Sequence, residues 1–283
     1  MKSQYLKIGI GCLLLCYQSL ACGSQEPRST KMHLQFRPGP KLGVTAATTI
    51  KGKVFPLLID TGAAGHDLDY SLIEKLKLPL GRTGAGSTPE GDIQTIDLGS
   101  IKVQVDGVNL VLDNAITVKD EPGGLIEDLI FGLISPQRLA SDKLVVVDLA
   151  EPALYLVSPI PTDVKAWLAK TFTSYDFDEV PLLEAAPFVE MVVAETRPFG
   201  KISMTVDSGA LKSYIYSDLK VDPTATVKIR INKHECLTQS AFIRPLNEPG
   251  HQNHLLGMDC LRGKVLAYLP PAHRSFFFGW PLK

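Results

Sequence analysis

Residues 54–63 read VFPLLIDTGA, and residues 201–210 read KISMTVDSGA. Each segment is an apolar or alternating run typical of a β-strand, and each ends in Asp-[Thr/Ser]-Gly-Ala. One such tetrapeptide is the ordinary chemistry of a turn after a strand. Two copies, each behind a predicted strand, indicate that the chain repeats one structural unit, with Asp60 and Asp207 at corresponding positions.

A second landmark follows each copy. Residues 129–133 read LIFGL and residues 255–258 read LLGM, so apolar residues run into Gly132 and into Gly257. A glycine here would let a crossing strand approach the Asp-containing loop closely. The interval from aspartate to glycine is 72 residues (132 − 60) in the first half and 50 residues (257 − 207) in the second. The difference predicts an additional hairpin or long loop in the first half.

Length and composition set the class of protein. The chain has 283 residues, which is enough for one large or two smaller domains. It contains 23 glycines and 20 prolines, and helical periodicity is scarce, which together favour a β-rich fold with many turns. The formal net charge of -1 argues against a nucleic-acid partner and against a basic membrane-binding face.

The paired motifs resemble those of the retropepsin/pepsin-like aspartic peptidases, whose members place one Asp-[Thr/Ser]-Gly motif in each of two β lobes. Both motifs lie on one chain here, as in pepsins, whereas the alanine after each glycine is typical of retropepsins. The resemblance covers roughly residues 43–282, and it is specific at the motifs and faint between them. It implies an all-β, bilobal pepsin-like/retropepsin-like fold with an internal duplication.

The resemblance also implies that Asp60 and Asp207 form a catalytic pair. Two carboxyl groups about a hydrogen bond apart cannot both ionise, so one keeps a proton while the other is charged. The charged one can activate a water molecule and the protonated one can donate to a peptide carbonyl. The titration belongs to the pair, so the two roles are not assigned to individual residues.

Residues next to the aspartates are expected to support them. In the family, the hydroxyl groups that correspond to Thr61 and Ser208 form hydrogen bonds across the lobe interface and hold the two loops rigid. Gly62 and Gly209 let the backbone turn so that its N–H groups face the carboxylates.

The family covers its cleft with a β-hairpin flap. Residues 83–91 read TGAGSTPEG and lie between apolar segments in the longer first half. We therefore predict that Gly84, Ala85 and Gly86 belong to a mobile flap tip that contacts substrate; the alternative is a plain loop. The second half is too short for a matching flap, so one flap is expected.

The N-terminus predicts export. A lysine-flanked apolar run too short to span a bilayer comfortably indicates a signal peptide over residues 1–21. Cleavage after Ala21 would leave a soluble secreted or periplasmic protein. Alternatively, Leu20-Ala21-Cys22 resembles a bacterial lipobox, although serine precedes it where leucine is usual, and this would leave a lipidated Cys22 as a membrane tether. Residues 22–31 are predicted to be a polar tether.

The remaining cysteines predict a cross-link. Removal of the signal and lipidation of Cys22 would leave Cys236 and Cys260, which an exported protein is expected to join as a disulfide. The alternative is two separate buried thiols. His66, His251 and His254 lack metal-ligand spacing and are expected at the surface or in capping positions, so no metal and no cofactor is predicted.

The predicted domains are an N-terminal β lobe over residues 32–157, a connector over 158–181 and a C-terminal β lobe over 182–283. The expected function is hydrolysis of extended peptides or unfolded protein by a monomer that is periplasmic or anchored as a lipoprotein. The alternative is a catalytically silent protein that binds peptides or proteins on the same fold, since a fold alone does not establish a function.

Overall fold

The structure, a computed structural model, describes residues 26–37, 43–88, 91–118, 130–183, 191–217, 226–238, 242–244, 254–270, 273 and 275–282. In chain order, its first half contains β1 (Arg28–His33), β2 (Gln35–Phe36), β3 (Val44–Ile50), β4 (Lys53–Ile59), β5 (Asp67–Leu68), α1 (Tyr70–Leu76), β6 (Thr83–Thr88), β7 (Gly91–Val105), β8 (Val108–Val118), β9 (Gly132–Ile134), α2 (Pro136–Leu139), β10 (Leu144–Asp148) and β11 (Ala153–Ser158). Its second half contains α3 (Val164–Thr171), β12 (Tyr175–Pro181), β13 (Met191–Arg197), β14 (Gly200–Val206), β15 (Tyr214–Tyr216), β16 (Val227–Ile231), β17 (His234–Thr238), β18 (Phe242–Arg244), β19 (His254–Leu256), α4 (Met258–Leu261), β20 (Val265–Tyr268) and β21 (Ser275–Pro281). Strands dominate, so the chain belongs to the all-β class.

The first sheet contains eight strands in the order β2-β3-β4-β9-β5-β8-β7-β6. Its hairpin β3–β4 leads to Asp60, and β4 pairs in parallel with the short strand β9. Strand β9 pairs antiparallel with β5, which in turn pairs in parallel with β8. Strand β3 also pairs with β7, which closes most of this sheet into a barrel-like unit.

The second sheet contains seven strands in the order β17-β16-β13-β14-β19-β15-β18. Its hairpin β13–β14 leads to Asp207, and β14 pairs in parallel with β19. Strand β19 pairs antiparallel with β15, and β15 pairs in parallel with β18. The outer strand β13 of the hairpin pairs with β16.

The third sheet contains six antiparallel strands from both halves of the chain, in the order β1-β11-β10-β20-β21-β12. Its centre is the pairing of β10 with β20, in which Val146 lies opposite Ala267. Residues 144–148 read LVVVD and are all buried, because side chains on the two faces of β10 enter two different apolar clusters. Burial on both faces explains why this strand is an uninterrupted apolar run rather than an alternating one.

The third sheet moves two predicted boundaries. The polar tether predicted for residues 22–31 is too long at its C-terminal end, because residues 28–31 belong to β1 and pair with β11. The connector predicted for residues 158–181 contains α3, which is capped by the side chain of Asp163, an acceptor of a hydrogen bond from the Ala166 N–H (2.9 Å). Its last residues form β12, which pairs with β21.

Candidate active site

Each aspartate leaves the end of a hairpin strand beside a short parallel neighbour. The Asp60 N–H donates to the Ile134 carbonyl (3.0 Å), and the Asp207 N–H donates to the Leu256 carbonyl (3.0 Å). These bonds continue the β4–β9 and β14–β19 ladders by one residue. Both aspartates are therefore fixed at the backbone by the same interaction, one in each sheet.

The two Asp-containing loops lie against each other. A methyl group added at Gly62 would come within 2.5 Å of the Asp207 carboxyl carbon, and one added at Gly209 would come within 2.6 Å of Asp60 Oδ2. The two carboxyl groups form a hydrogen bond with each other. Glycine is required after Thr61 and after Ser208 because the carboxyl group of the other half lies so close, and not because the backbone adopts an unusual angle there. The structure thus brings together the two aspartates and both glycines that the sequence motifs single out.

Thr61 and Ser208 are fully buried and join the loops through four reciprocal hydrogen bonds. The Thr61 hydroxyl donates to the Val206 carbonyl (2.8 Å) and accepts from the Ser208 N–H (2.9 Å). The Ser208 hydroxyl donates to the Ile59 carbonyl (2.8 Å) and accepts from the Thr61 N–H (3.1 Å). Each side chain therefore satisfies one donor and one acceptor of the other half of the chain, which fixes the spacing of the loops.

Backbone N–H groups point at both carboxyls. The Gly62 N–H donates to Asp60 Oδ1 (2.7 Å), while the Gly209 and Ala210 N–H groups donate to Asp207 Oδ1 (2.8 and 2.9 Å). Such donors favour the charged form of a carboxyl group. These N–H donors therefore allow the site to hold one negative charge.

Burial and mutual repulsion act against a second charge. Burial raises the pKa of Asp60 well above its ordinary value, and the neighbouring charge of Asp207 raises it further. Burial also raises the pKa of Asp207, although hydrogen bonds from the Ala210 N–H, from Asp60 and from the Gly209 N–H oppose that shift. Both residues keep some accessible surface, so the pair is reachable from solvent. The pair therefore retains one proton over a wider pH range than isolated aspartates would.

A cluster of polar residues supports the Asp60 loop through hydrogen bonds. The Ser135 N–H donates to Nδ1 of His66 (3.2 Å), and the Ser135 hydroxyl donates to Oε1 of Gln137 (3.0 Å). The Gln137 amide then donates to the Thr61 carbonyl. His66 is fully buried, and burial together with the charge of Arg138 lowers its pKa to about 4, so it is neutral at neutral pH.

A different set of groups braces the Asp207 loop. Oδ1 of Asp259 accepts from the N–H (2.9 Å) and the hydroxyl (2.8 Å) of Ser213, and Oδ2 accepts from the Thr238 hydroxyl (2.5 Å). The Ser213 hydroxyl oxygen also accepts from the Gly257 N–H (3.1 Å). The two loops thus have equivalent supports built from different residues.

The predicted disulfide pair adjoins Asp259, one of the residues that support the Asp207 loop. Cys236 in β17 and Cys260 in α4 are joined by a disulfide, with their Cα atoms 5.7 Å apart. The bridge holds α4, which carries Asp259, against β17. Cys22, the predicted lipidation site, lies outside the described residues.

The structure corrects the position of the first glycine landmark. Strand pairing places Ile134 beside Ile59 and Leu256 beside Val206, so the residue that corresponds to Gly257 is Ser135 rather than Gly132. The sequence match was shifted by three residues. The match failed because Gly132, like Gly257, follows an apolar run. Gly132 is nevertheless required where it stands, because its φ is +145° and an added side chain would collide with the Asp67 carbonyl.

The predicted flap tip is also corrected. Gly84, Ala85 and Gly86 lie in β6, which pairs antiparallel with β7 from Thr83 opposite Ile96 to Thr88 opposite Gly91. They form one arm of a hairpin rather than its tip. The turn residues 89 and 90 lie outside the described residues. Glycine-rich composition suggested a loop, but pairing with β7 overrides the low intrinsic strand propensity of glycine.

Sequence reasoning missed the bracing residues His66, Ser135, Gln137, Ser213 and Asp259. His66 was expected at the surface or in a cap, which is wrong because it is fully buried. A usable signal existed: His66 and Ser213 each lie six residues after their aspartate, so aligning the halves at the motifs would have paired them. Their side chains accept equivalent backbone hydrogen bonds despite different chemistry.

Two negative findings complete the description of the site. Among the described residues, no group of three or more His, Cys, Asp or Glu side chains could hold a metal ion. The helices in the same part of the chain are all too short or too polar to cross a membrane.

The whole chain matches no protein-family model, and no curated protein matches it.

Proposed function

We propose that this protein is an aspartic endopeptidase with a single-chain, two-lobed fold of the retropepsin/pepsin kind. The observation that carries the proposal is the Asp60–Asp207 carboxyl pair, hydrogen-bonded and held by reciprocal bonds of two buried hydroxyl groups. Two carboxylates that lie against each other and are partly withdrawn from water are costly unless they share a proton. An arrangement this constrained around two acids is typical of a site that uses their proton.

The proposed duplication is supported by strand order. Pairing follows β7-β3-β4-β9-β5-β8 around the first sheet and β16-β13-β14-β19-β15-β18 across the second. The two runs match strand for strand, including which neighbours are parallel. The first sheet is longer between β5 and β7: Leu68 to Val105 spans 37 positions, and Ile215 to Ile231 spans 16. The additional residues contain β6 and the part of β7 that pairs with it.

In the proposed reaction, the charged member of the pair takes a proton from a water molecule as that water attacks the peptide carbonyl carbon. The protonated member donates to the carbonyl oxygen. As the tetrahedral intermediate collapses, the C–N bond breaks, the carboxyl group that took the water proton gives it to the departing amine, and the other carboxylate recovers its proton from the hydroxyl of the intermediate. Backbone N–H groups of Gly62, Gly209 and Ala210 stabilise the carboxylate charge throughout. The buried Thr61–Ser208 bonds keep the carboxyl groups at a fixed spacing, so little reorganisation is needed.

The proposed substrate is an extended peptide or an unfolded protein segment. An extended chain can form backbone hydrogen bonds with strands near the site, as in other cases of β-strand addition. We assign the β6–β7 hairpin as the flap over this cleft, because it is the additional hairpin of the first half. Export through the N-terminal signal, with either a free or a lipidated Cys22, is proposed on the sequence pattern alone.

The test is cleavage of a mixed peptide library from pH 3 to 8, with cut sites identified by mass spectrometry. Wild type is compared with Asp60→Asn, Asp207→Asn and the control Asp142→Asn, which alters an exposed aspartate paired with Lys143. We expect wild type and the control to cut, the two site variants to be inactive, and pepstatin to inhibit. If folded wild type cuts nothing at any pH, the peptidase proposal fails and a peptide-binding protein becomes the better account.

A further inference from the structure

The outer face of the second sheet carries a charged cavity outside the Asp60–Asp207 site. Its volume is about 370 Å³, and it lies over β13, β14, β16 and β17. Charged residues dominate its lining: Glu195, Arg197, Lys201, Lys228, Arg230 and Glu235. We call this cavity, defined by these six residues, the basic cleft.

The acidic residues of the basic cleft are already paired. Lys228 forms an ion pair with Glu235 (2.7 Å), and Arg230 forms one with Glu195. As far as the structure describes the chain, Arg197 and Lys201 take part in no ion pair. The lining therefore carries two positive charges more than its own carboxylates balance.

The strand register brings two of the cleft's positive charges next to each other. Arg197 on β13 lies directly opposite Lys228 on β16. Like charges at directly opposed positions of a sheet destabilise it. The hydrogen bond from Lys228 lowers the pKa of Glu235, and the charges of Lys228, Arg230 and Arg197 contribute to the same direction. The surroundings of the cleft therefore favour a negative charge.

The corresponding part of the first sheet also carries lysines, Lys51 and Lys102, but it has a threonine where the cleft has Glu195. There the turn lysine, Lys51, donates to the carbonyls of Leu76 (3.0 Å) and Lys77 (3.1 Å) at the end of α1. Thr49 lies opposite Gln104, where the second sheet has Glu195 opposite Arg230. The Glu195–Arg230 ion pair is therefore specific to the second half and is not a consequence of the shared strand order.

We propose that the basic cleft binds a phosphate group, held mainly by Arg197 and Lys201, the two basic residues that its own carboxylates do not balance. The planar guanidinium of an arginine matches two phosphate oxygens, and lysines add point charges. At about 30 Å³ of liquid per water molecule, the cavity has room for roughly a dozen waters, and hence for a phosphate and part of its carrier. The proposal is independent of the peptidase activity, because none of these residues belongs to the carboxyl site.

The test is isothermal titration of the purified protein with inorganic phosphate at constant ionic strength. Variants Arg197→Gln and Lys201→Gln are compared with Lys102→Gln, a lysine on β7 whose cross-strand partner is Val111. Each cleft variant should bind phosphate about tenfold more weakly, as expected for loss of one charge-assisted hydrogen bond, while Lys102→Gln should match wild type. Circular dichroism checks that every variant is folded, and Arg197→Lys should recover part of the binding.

A second arm distinguishes a soluble phosphate from a lipid headgroup. Cosedimentation with phosphatidylglycerol vesicles, against phosphatidylcholine vesicles, should depend on Arg197 if the carrier is a lipid. Binding of free phosphate without cosedimentation would identify a soluble phosphate compound. If Arg197→Gln changes neither phosphate binding nor vesicle binding, or if wild type shows neither, the proposed phosphate site is wrong.

Discussion

Replacing Thr61 by valine tests whether the reciprocal hydroxyl bonds hold the two halves together. Valine has nearly the same shape, so the change removes an oxygen without creating a large cavity. It leaves two buried backbone groups without their partner, the Val206 carbonyl (2.8 Å) and the Ser208 N–H (2.9 Å). Each unsatisfied group costs about 1–3 kcal/mol, so the free energy of unfolding should fall by about 2–6 kcal/mol.

The assay is urea unfolding followed by tryptophan fluorescence, with Thr48→Val as the matched control. Thr48 is also fully buried, but its hydroxyl donates only locally, to the Ala46 carbonyl (3.2 Å). Ser208→Ala provides a double-mutant cycle, in which the double variant should lose less than the sum of the single losses by about 0.5–3 kcal/mol. The reasoning is refuted if Thr61→Val costs no more than Thr48→Val, or if the two site changes are additive.

Three further predictions concern stability. The pKa of Asp60 is raised because its charged form is disfavoured in the fold, so the stability of the wild type falls as pH rises above the ordinary aspartate pKa. Asp60→Asn should therefore melt at a higher temperature than wild type at pH 7 but not at pH 3. A lower melting temperature of the variant at pH 7 would contradict this prediction. His66 has its pKa lowered from 6.5 to about 4, so the unfolded chain binds its proton first and stability should fall by about 3 kcal/mol as pH drops from 7 to 4. His66→Asn should remove that part of the pH dependence of urea unfolding, and an unchanged slope would exclude His66 as its source. Replacing Cys236 and Cys260 by alanine opens a bridge across a sequence separation of 24 and should lower the free energy of unfolding by about 2–4 kcal/mol, whereas equal stability of both forms would show that the bridge does not stabilise the fold.

The motif residues could be predicted from sequence because their chemistry is local. The motif Asp-[Thr/Ser]-Gly-Ala after an apolar strand indicates both a turn and the carboxyl, hydroxyl and N–H groups that line this turn. The structure brings Asp60 and Asp207 together as the motifs indicate, with Thr61 and Ser208 buried between them. The predominance of strands likewise follows from the scarcity of helical periodicity.

The bracing residues could not be predicted, because their roles depend on long-range register. Ser135 lies 75 positions after Asp60, and only the β4–β9 pairing puts it beneath that loop. Glycine-rich segments were equally ambiguous, since the position of Gly84 is decided by Thr95 on the partner strand and not by its neighbours in sequence. The third sheet was missed because its central strand pairing joins segments more than a hundred residues apart.

The most direct test of the proposed function is the pH dependence of kcat/KM for the best peptide found in the library. Wild type should show a bell-shaped profile, because one carboxyl must be charged and the other protonated. Asp60→Asn and Asp207→Asn should each lose activity by about a thousandfold or more, as expected for removal of a general acid or base from a preorganised site. Asp142→Asn should retain the wild-type profile. Full activity in either Asp60→Asn or Asp207→Asn would contradict the claim that these two carboxyl groups perform the hydrolysis together.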